Sequence, residues 1–139
     1  MQKLIDQLIR HEGEVLTAYR CPAGYITIGC GRNLEGKGIT KAESRMLLAN
    51  DIAECRTDLQ TIFRDFDSFS KARRIALIDM RFNLGPSRFR SFRRMIAAIK
   101  KGDWLQASCE ALDSRWAAQV QKSRVNTITK QLADGQVVA

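Results

Sequence analysis

One short block, residues 15–34, interrupts a chain that otherwise reads as helix. That interruption limits the possible folds more than any other feature. Val15, Tyr19, Tyr25, Ile26, Thr27 and Ile28 have strand propensity, and Pro22-Ala23-Gly24 is a turn signal between two short runs. Gly29 and Gly31 flank Cys30, and Gly36 and Gly38 flank Lys37, which completes the pattern of a small, glycine-rich antiparallel sheet. Ahead of it, Leu4, Ile5, Leu8 and Ile9 form one stripe over residues 2–11, an amphipathic helix whose end suits Gly13. Behind it, Thr40-Lys41-Ala42-Glu43 is a capping box before Met46, Leu47 and Ile52. This second helix is expected to reach Asp58 or beyond and, as the longest, to join two lobes.

The remainder is helical by period. Residues 71–83 carry Ile75, Leu77, Ile78, Met80 and Phe82 up to a stop at Gly85-Pro86. Residues 88–100 carry Phe89, Phe92, Met95, Ile96 and Ile99 as one helix. Residues 103–112 open on Asp103 as N-cap and are expected to bury Trp104, Leu105, Ala107 and Leu112. Residues 114–132 form one or two more helices, and the aromatics and methionines at helical spacing are read as core. The predicted fold class is α+β in a single domain of 139 residues. A sheet lobe of about 13–38 stands beside a helical lobe of about 60–132 that includes the N-terminal helix, and a cleft between lobes is a natural ligand site.

Charge narrows the partners. The formal net charge is +8, and Arg64 to Lys101 holds eleven Lys or Arg against three Asp, so the excess sits in one third of the chain. Such a block suits nucleic acid, an acidic membrane or an acidic wall polymer, or else is a solvated face. The four cysteines contain no C-x-x-C pair, and a single histidine does not complete a zinc site, so neither metal nor cofactor is expected. Cys55 and Cys109 occupy apolar positions of helical patterns and are expected to be buried thiols. The N-terminus has no long apolar run, which predicts neither a signal peptide nor a membrane span. The tail Asp134-Gly135-Gln136-Val137-Val138-Ala139 is the one stretch expected to be disordered.

The chemistry concentrates in residues 11–32. Glu12 lies where a helix ends against a sheet edge, a place where partial shielding raises a carboxyl pKa and makes it a proton donor near neutral pH. Glycosidic cleavage needs such a donor, and a second group across the sugar ring to hold a water or attack the anomeric carbon. The spacing Glu12, eight residues, Cys21, five residues, Thr27, with a turn at 22–24, is expected to bring Cys21 and Thr27 onto adjacent strands facing one opening. The bland alternative is a surface glutamate, a half-buried cysteine and a strand threonine.

This stretch resembles the active-site segment of phage-type lysozymes, the endolysins and muramidases of glycoside hydrolase family 24. The shared pieces are Glu12-Gly13, Tyr19, Gly24-Tyr25-Ile26-Thr27-Ile28-Gly29 and Gly31. Gly38 to Glu43 resembles the start of the family's inter-lobe helix, Arg73 to Gly85 its central buried helix, and Ser114-Arg115-Trp116 with Arg124 a late segment beside the active site. The likeness runs from about residue 4 to residue 132. It implies a lysozyme-like fold and cleavage of the β-1,4 bond between N-acetylmuramic acid and N-acetylglucosamine in bacterial peptidoglycan. By the same resemblance Glu12 is the general acid, Thr27 positions the attacking water, Arg124 pairs with Glu12, and Asn33, Phe82, Phe92 and Glu110 line the sugar groove.

Two departures follow from that resemblance. Cys21 stands where many relatives have Asp. A neutral thiol is a poor base and a thiolate a strong nucleophile; the reading adopted is that Cys21 places a water with Thr27 and that inversion results. Arg32 stands where relatives often have His, and its expected partner is a carboxylate of the helical lobe, Asp51, Asp65 or Asp67. His11 is read as a helix-end residue near the negative pole of the dipole. The family implies a monomer, no nucleic acid partner, and residence in the host cytoplasm until a separate holin opens a route to the wall. The basic block then serves attraction to the anionic cell envelope. Competing readings are a catalytically inactive peptidoglycan-binding domain and a basic nucleic-acid-binding helical module built on Arg88, Arg90, Arg93 and Arg94.

Overall fold

The computed structural model describes residues 1–137, so the last two residues of the tail expected to be disordered, Val138 and Ala139, lie outside the described residues. The chain divides into two compact units, Met1–Leu47 and Leu48–Ala139.

The first unit holds α1 (Gln2–Glu12), β1 (Val15–Arg20), β2 (Ile26–Gly29), β3 (Arg32–Asn33) and the first turns of α2 (Lys41–Ile62). The Gly13 N–H still donates to the Ile9 carbonyl at 2.8 Å, and the Gly13 φ of 75° then turns the chain out of helix α1. Arg10 and His11 occupy the last turn of α1, the end that favours positive charge. The three strands are antiparallel in the order β1-β2-β3. Tyr19 opposes Thr27 across β1–β2, and Thr27 opposes Asn33 across β2–β3, so the three share one face of the sheet. An irregularity between Val15 and Tyr19 breaks the first ladder.

The partner of Arg32 corrects the expectation. The guanidinium grips Glu43 at 2.6 and 3.1 Å and the Gly38 carbonyl at 3.2 Å, rather than Asp51, Asp65 or Asp67. Glu43 is available because the capping box seats it in the first turn of α2, its N–H on Thr40 Oγ1 at 3.1 Å. The Arg32 hydrogen bonds foremost hold the Glu43 carboxyl below the usual carboxylate range. Asp67 is engaged elsewhere, accepting from Arg56 at 3.0 Å and Gln60 at 2.9 Å.

The second unit contains the rest of α2, a short 3-10 turn (Phe66–Ser68), α3 (Lys71–Leu84), α4 (Pro86–Arg90), α5 (Arg93–Lys100), α6 (Trp104–Leu112), α7 (Arg115–Gln119) and α8 (Lys122–Asp134). Helix α3 is its central element, burying Ala72, Ala76, Leu77, Met80, Arg81 and Leu84. Around them close Leu59, Phe63, Phe66, Phe89, Met95, Ile99, Trp116, Ile128 and Leu132. Ser70 caps α3 by accepting from the Arg73 N–H at 3.3 Å, and Gly85 ends it at φ 81°, with Pro86 opening α4 at once.

Three sequence expectations fail here. The single helix over 88–100 is two, α4 and α5, because Ser91 turns its hydroxyl onto the Arg88 carbonyl at 2.6 Å and Phe92 leaves helical geometry at ψ 58°. Helix α6 begins at its Asp103 cap as expected but buries Ala107, Ser108 and Ala111, leaving Leu105 69% exposed and Leu112 49% exposed. Small side chains let α6 lie close to α5 and α8, and Ser108 donates to the Thr129 carbonyl at 2.9 Å. The same rotation exposes Cys109, whereas Cys55 is buried as expected.

An ion cluster built on the buried Arg81 ties three helices. Asp58 of α2 accepts from Arg81 of α3 at 2.7 Å and from both terminal nitrogens of Arg90 on α4, and Arg81 also reaches Cys55 Sγ at 3.8 Å. Arg73 performs a second tie. It caps α8 through the Leu132 and Ala133 carbonyls at 2.9 and 3.1 Å, with its guanidinium 4.5 Å from the centre of the Trp104 ring.

Candidate active site

In the first unit, three of the residues singled out by spacing stand on α1, the β1–β2 turn and β2. Glu12 is the last residue of α1 and is exposed. Its side chain lies along Gly31, in the turn between β2 and β3, where a methyl group would stand 3.0 Å from the carboxylate Oε2. Gly31 has φ 72°, which a glycine adopts freely.

Cys21 opens the turn between β1 and β2. Its N–H donates to the Tyr25 carbonyl at 2.9 Å, and its carbonyl accepts from the Gly24 N–H at 2.8 Å. The Tyr25 N–H foremost, with weaker help from the N–H groups of Ala23 and Gly24, lowers the Cys21 thiol pKa, while partial burial opposes them. All four cysteines are free thiols.

Thr27 is buried in β2, 3% exposed, at the middle of the three strands. Its hydroxyl donates to the Tyr25 carbonyl at 2.8 Å. With that proton committed, the oxygen turns lone pairs outward and is an acceptor for whatever approaches. Asn33 faces it across β2–β3, but its side-chain oxygen is occupied: it accepts the Glu35 and Gly36 N–H groups, each at 2.9 Å, and shapes the following turn.

The second unit holds the other residues singled out. Arg124, on α8, donates through Nε to Asp79 Oδ1 at 2.8 Å and through a terminal nitrogen to the Asp79 carbonyl at 3.3 Å. Asp79 also lines an apolar cavity of about 330 Å³ together with Phe82, Leu48, Ile52, Ile75 and Ile78. Phe92 and Glu110 share a different cavity, of about 280 Å³, with Arg93, Arg94 and Asp113. Phe92 also meets Trp116 edge-on at 6.4 Å, and Trp116 is fixed by its indole N–H on Asn83 at 2.8 Å. Glu110 accepts from Gln106 at 3.0 Å.

Sequence reasoning missed Asp79 and the contact at Gly31. Asp79 had one signal, an isolated acid three residues before Phe82 and on the same face of α3. Gly31 had none beyond its place in a glycine-rich turn.

Residues 9–133 match the phage lysozyme family. The chain belongs to that family. Among its relatives is probable T4-type lysozyme 1 of Dictyostelium discoideum, 27% identical over 94% of this chain and 93% of its own length. Probable T4-type lysozyme 2 of the same organism is 28% identical over 88% of this chain and 89% of its own. The pre-baseplate central spike protein Gp5 of Enterobacteria phage T4 is 26% identical over 95% of this chain, which spans only 28% of that protein. The lysozyme-like α+β fold expected from the resemblance is therefore established, and membership makes the chain a peptidoglycan hydrolase of the muramidase type. No helix among the described residues is long and apolar enough to cross a membrane.

Proposed function

We propose that this phage lysozyme family member cleaves the β-1,4 bond between N-acetylmuramic acid and N-acetylglucosamine, with Glu12 as general acid and Cys21 and Thr27 placing the attacking water. What carries the reading is the pair of acceptors on one hairpin: a thiol biased towards thiolate by backbone N–H groups, and a threonine oxygen whose proton is already given to Tyr25. A water that donates one hydrogen bond to each keeps both lone pairs directed away from the hairpin. Attack by that water, which passes one proton to the Cys21 thiolate as the bond forms, opposite a leaving oxygen protonated by Glu12, inverts the anomeric centre. Cys21 then replaces the carboxylate of other members as a hydrogen-bond acceptor without becoming covalently attached.

Arg124, steadied by Asp79, serves to orient the acid, as the family resemblance implies. Phe82, Phe92, Glu110 and Asn33 contribute to the sugar groove, Asn33 by shaping the turn after β3. The biological role that fits is a monomeric endolysin, held in the host cytoplasm until release, then drawn to the anionic envelope by the basic block of its second unit, with no nucleic acid partner.

The test is release of reducing ends from purified peptidoglycan. The native chain should release them, and Glu12→Gln should lower the rate by about 10²- to 10⁴-fold, the usual worth of a general acid. Unimpaired release by Glu12→Gln removes Glu12 from the reaction.

A further inference from the structure

We infer that Gly31 is a positioning residue for the acid: its missing side chain is the space that Glu12 occupies. The inference rests on the reading of Glu12 as general acid. A methyl group at Gly31 would stand 3.0 Å from Glu12 Oε2, 3.4 Å from Cδ and 3.6 Å from Cγ, so the whole outer half of the side chain runs along this glycine. The closest of these separations is tighter than ordinary packing, and the carboxylate is the freer of the two groups. A side chain at residue 31 therefore displaces the carboxylate, in addition to any strain it puts on the backbone. Catalysis is sensitive to small displacements of this kind, because proton transfer demands that donor and leaving oxygen meet within hydrogen-bond reach.

The turn contains its own control. Gly29, two residues earlier, has φ 67° against 72° at Gly31, so an L residue suffers the same left-handed backbone strain at either position. Around Gly29, however, a methyl group would meet nothing within 4 Å. Gly29→Ala reports backbone strain alone; Gly31→Ala reports strain plus displacement of Glu12.

The experiment compares kcat and KM on soluble peptidoglycan fragments for Gly29→Ala and Gly31→Ala, each also in a Glu12→Asp background, with Glu12→Gln alongside. Asparagine, which accepts positive φ more readily than alanine, replaces it at both positions if either variant fails to fold. Gly31→Ala should lower kcat about tenfold beyond Gly29→Ala at an unchanged KM. That excess should shrink in the Glu12→Asp background, where the shorter acid ends earlier along residue 31 and the closest contact is relieved. Equal kcat for the two glycine variants, with Glu12→Gln inactive, overturns the positioning role and leaves Glu12 as the acid. An active Glu12→Gln overturns both.

Discussion

At the scale of single residues, Cys21 stands, by the family resemblance, where many members have a carboxylate. The proposed mechanism needs an acceptor there, and a thiol becomes a good one only when ionised. The backbone N–H groups of the 21–25 turn lower its pKa from the ordinary value of about 8.5. Thiolate therefore forms at lower pH than in a free thiol, and the rate should rise as pH rises through that lowered pKa. Cys21→Asp, ionised from about pH 4 upwards, should keep activity and lose that limb of the pH profile. Cys21→Ser, neutral throughout, should lose about a hundredfold. A pH–rate series on the three proteins checks all of this, and a fully active serine variant removes Cys21 from the mechanism. The spacing of Glu12, Cys21 and Thr27 was legible in the sequence because it is local, set by one helix end and one hairpin. The Gly31 approach was not, since it depends on the angle at which α1 meets the sheet.

At the scale of elements, Asp58 is the point where α2, α3 and α4 are held together. Its side chain is 18% exposed and that of Arg81 only 8%, so removing the acid strands a buried guanidinium. Asp58→Ala should destabilise the protein by about 3 kcal/mol, the low end for breaking a buried pair, measured by urea unfolding. Arg90 foremost, then Arg81, depress the Asp58 pKa in the folded state, against partial burial. A depressed folded pKa stabilises above the unfolded value of about 3.9, and the contribution disappears as pH falls through the folded pKa. The native protein should therefore lose stability on acidification in a window that Asp58→Ala lacks. Arg73 offers a second test at this scale. Arg73→Ala frees the last carbonyls of α8 and the face of Trp104, and should cost about 2 kcal/mol in the same unfolding measurement.

At the scale of the whole molecule, the excess of positive charge lies in Arg64 to Lys101, the stretch that forms α3, α4 and α5. Several of those charges are structural: Arg73, Arg81 and Arg90 are committed to carbonyls or to Asp58. Arg88, Arg93 and Arg94 line surface cavities around Phe92 and supply the long-range field. Cleavage of intact cell walls should fall steeply as salt shortens the Debye length from about 10 Å at 0.1 M to about 3 Å at 1 M. Cleavage of small uncharged oligosaccharides should fall far less. Equal salt dependence on both substrates would mean that the charge serves solubility alone.

The sequence by itself determined the order and kind of the elements, the caps at Thr40, Asp103, Gly13 and Gly85, and the family. These are local or near-local properties, written in periods of two and 3.6, in turn residues, and in motifs a few residues long. Tertiary structure alone decided which charges meet. Arg32 had acids at several plausible distances along the chain and took Glu43, because the capping box had already placed it. Arg124 took Asp79, and Asp58 took two arginines, through helix packing that no sequence period encodes. The inward face of α6 and the break at Ser91 and Phe92 belong to the same class. Close packing of Ala107 and Ala111 outweighed the larger side chains of Leu105 and Leu112, and one hydroxyl on a neighbouring carbonyl outweighed a continuous apolar period.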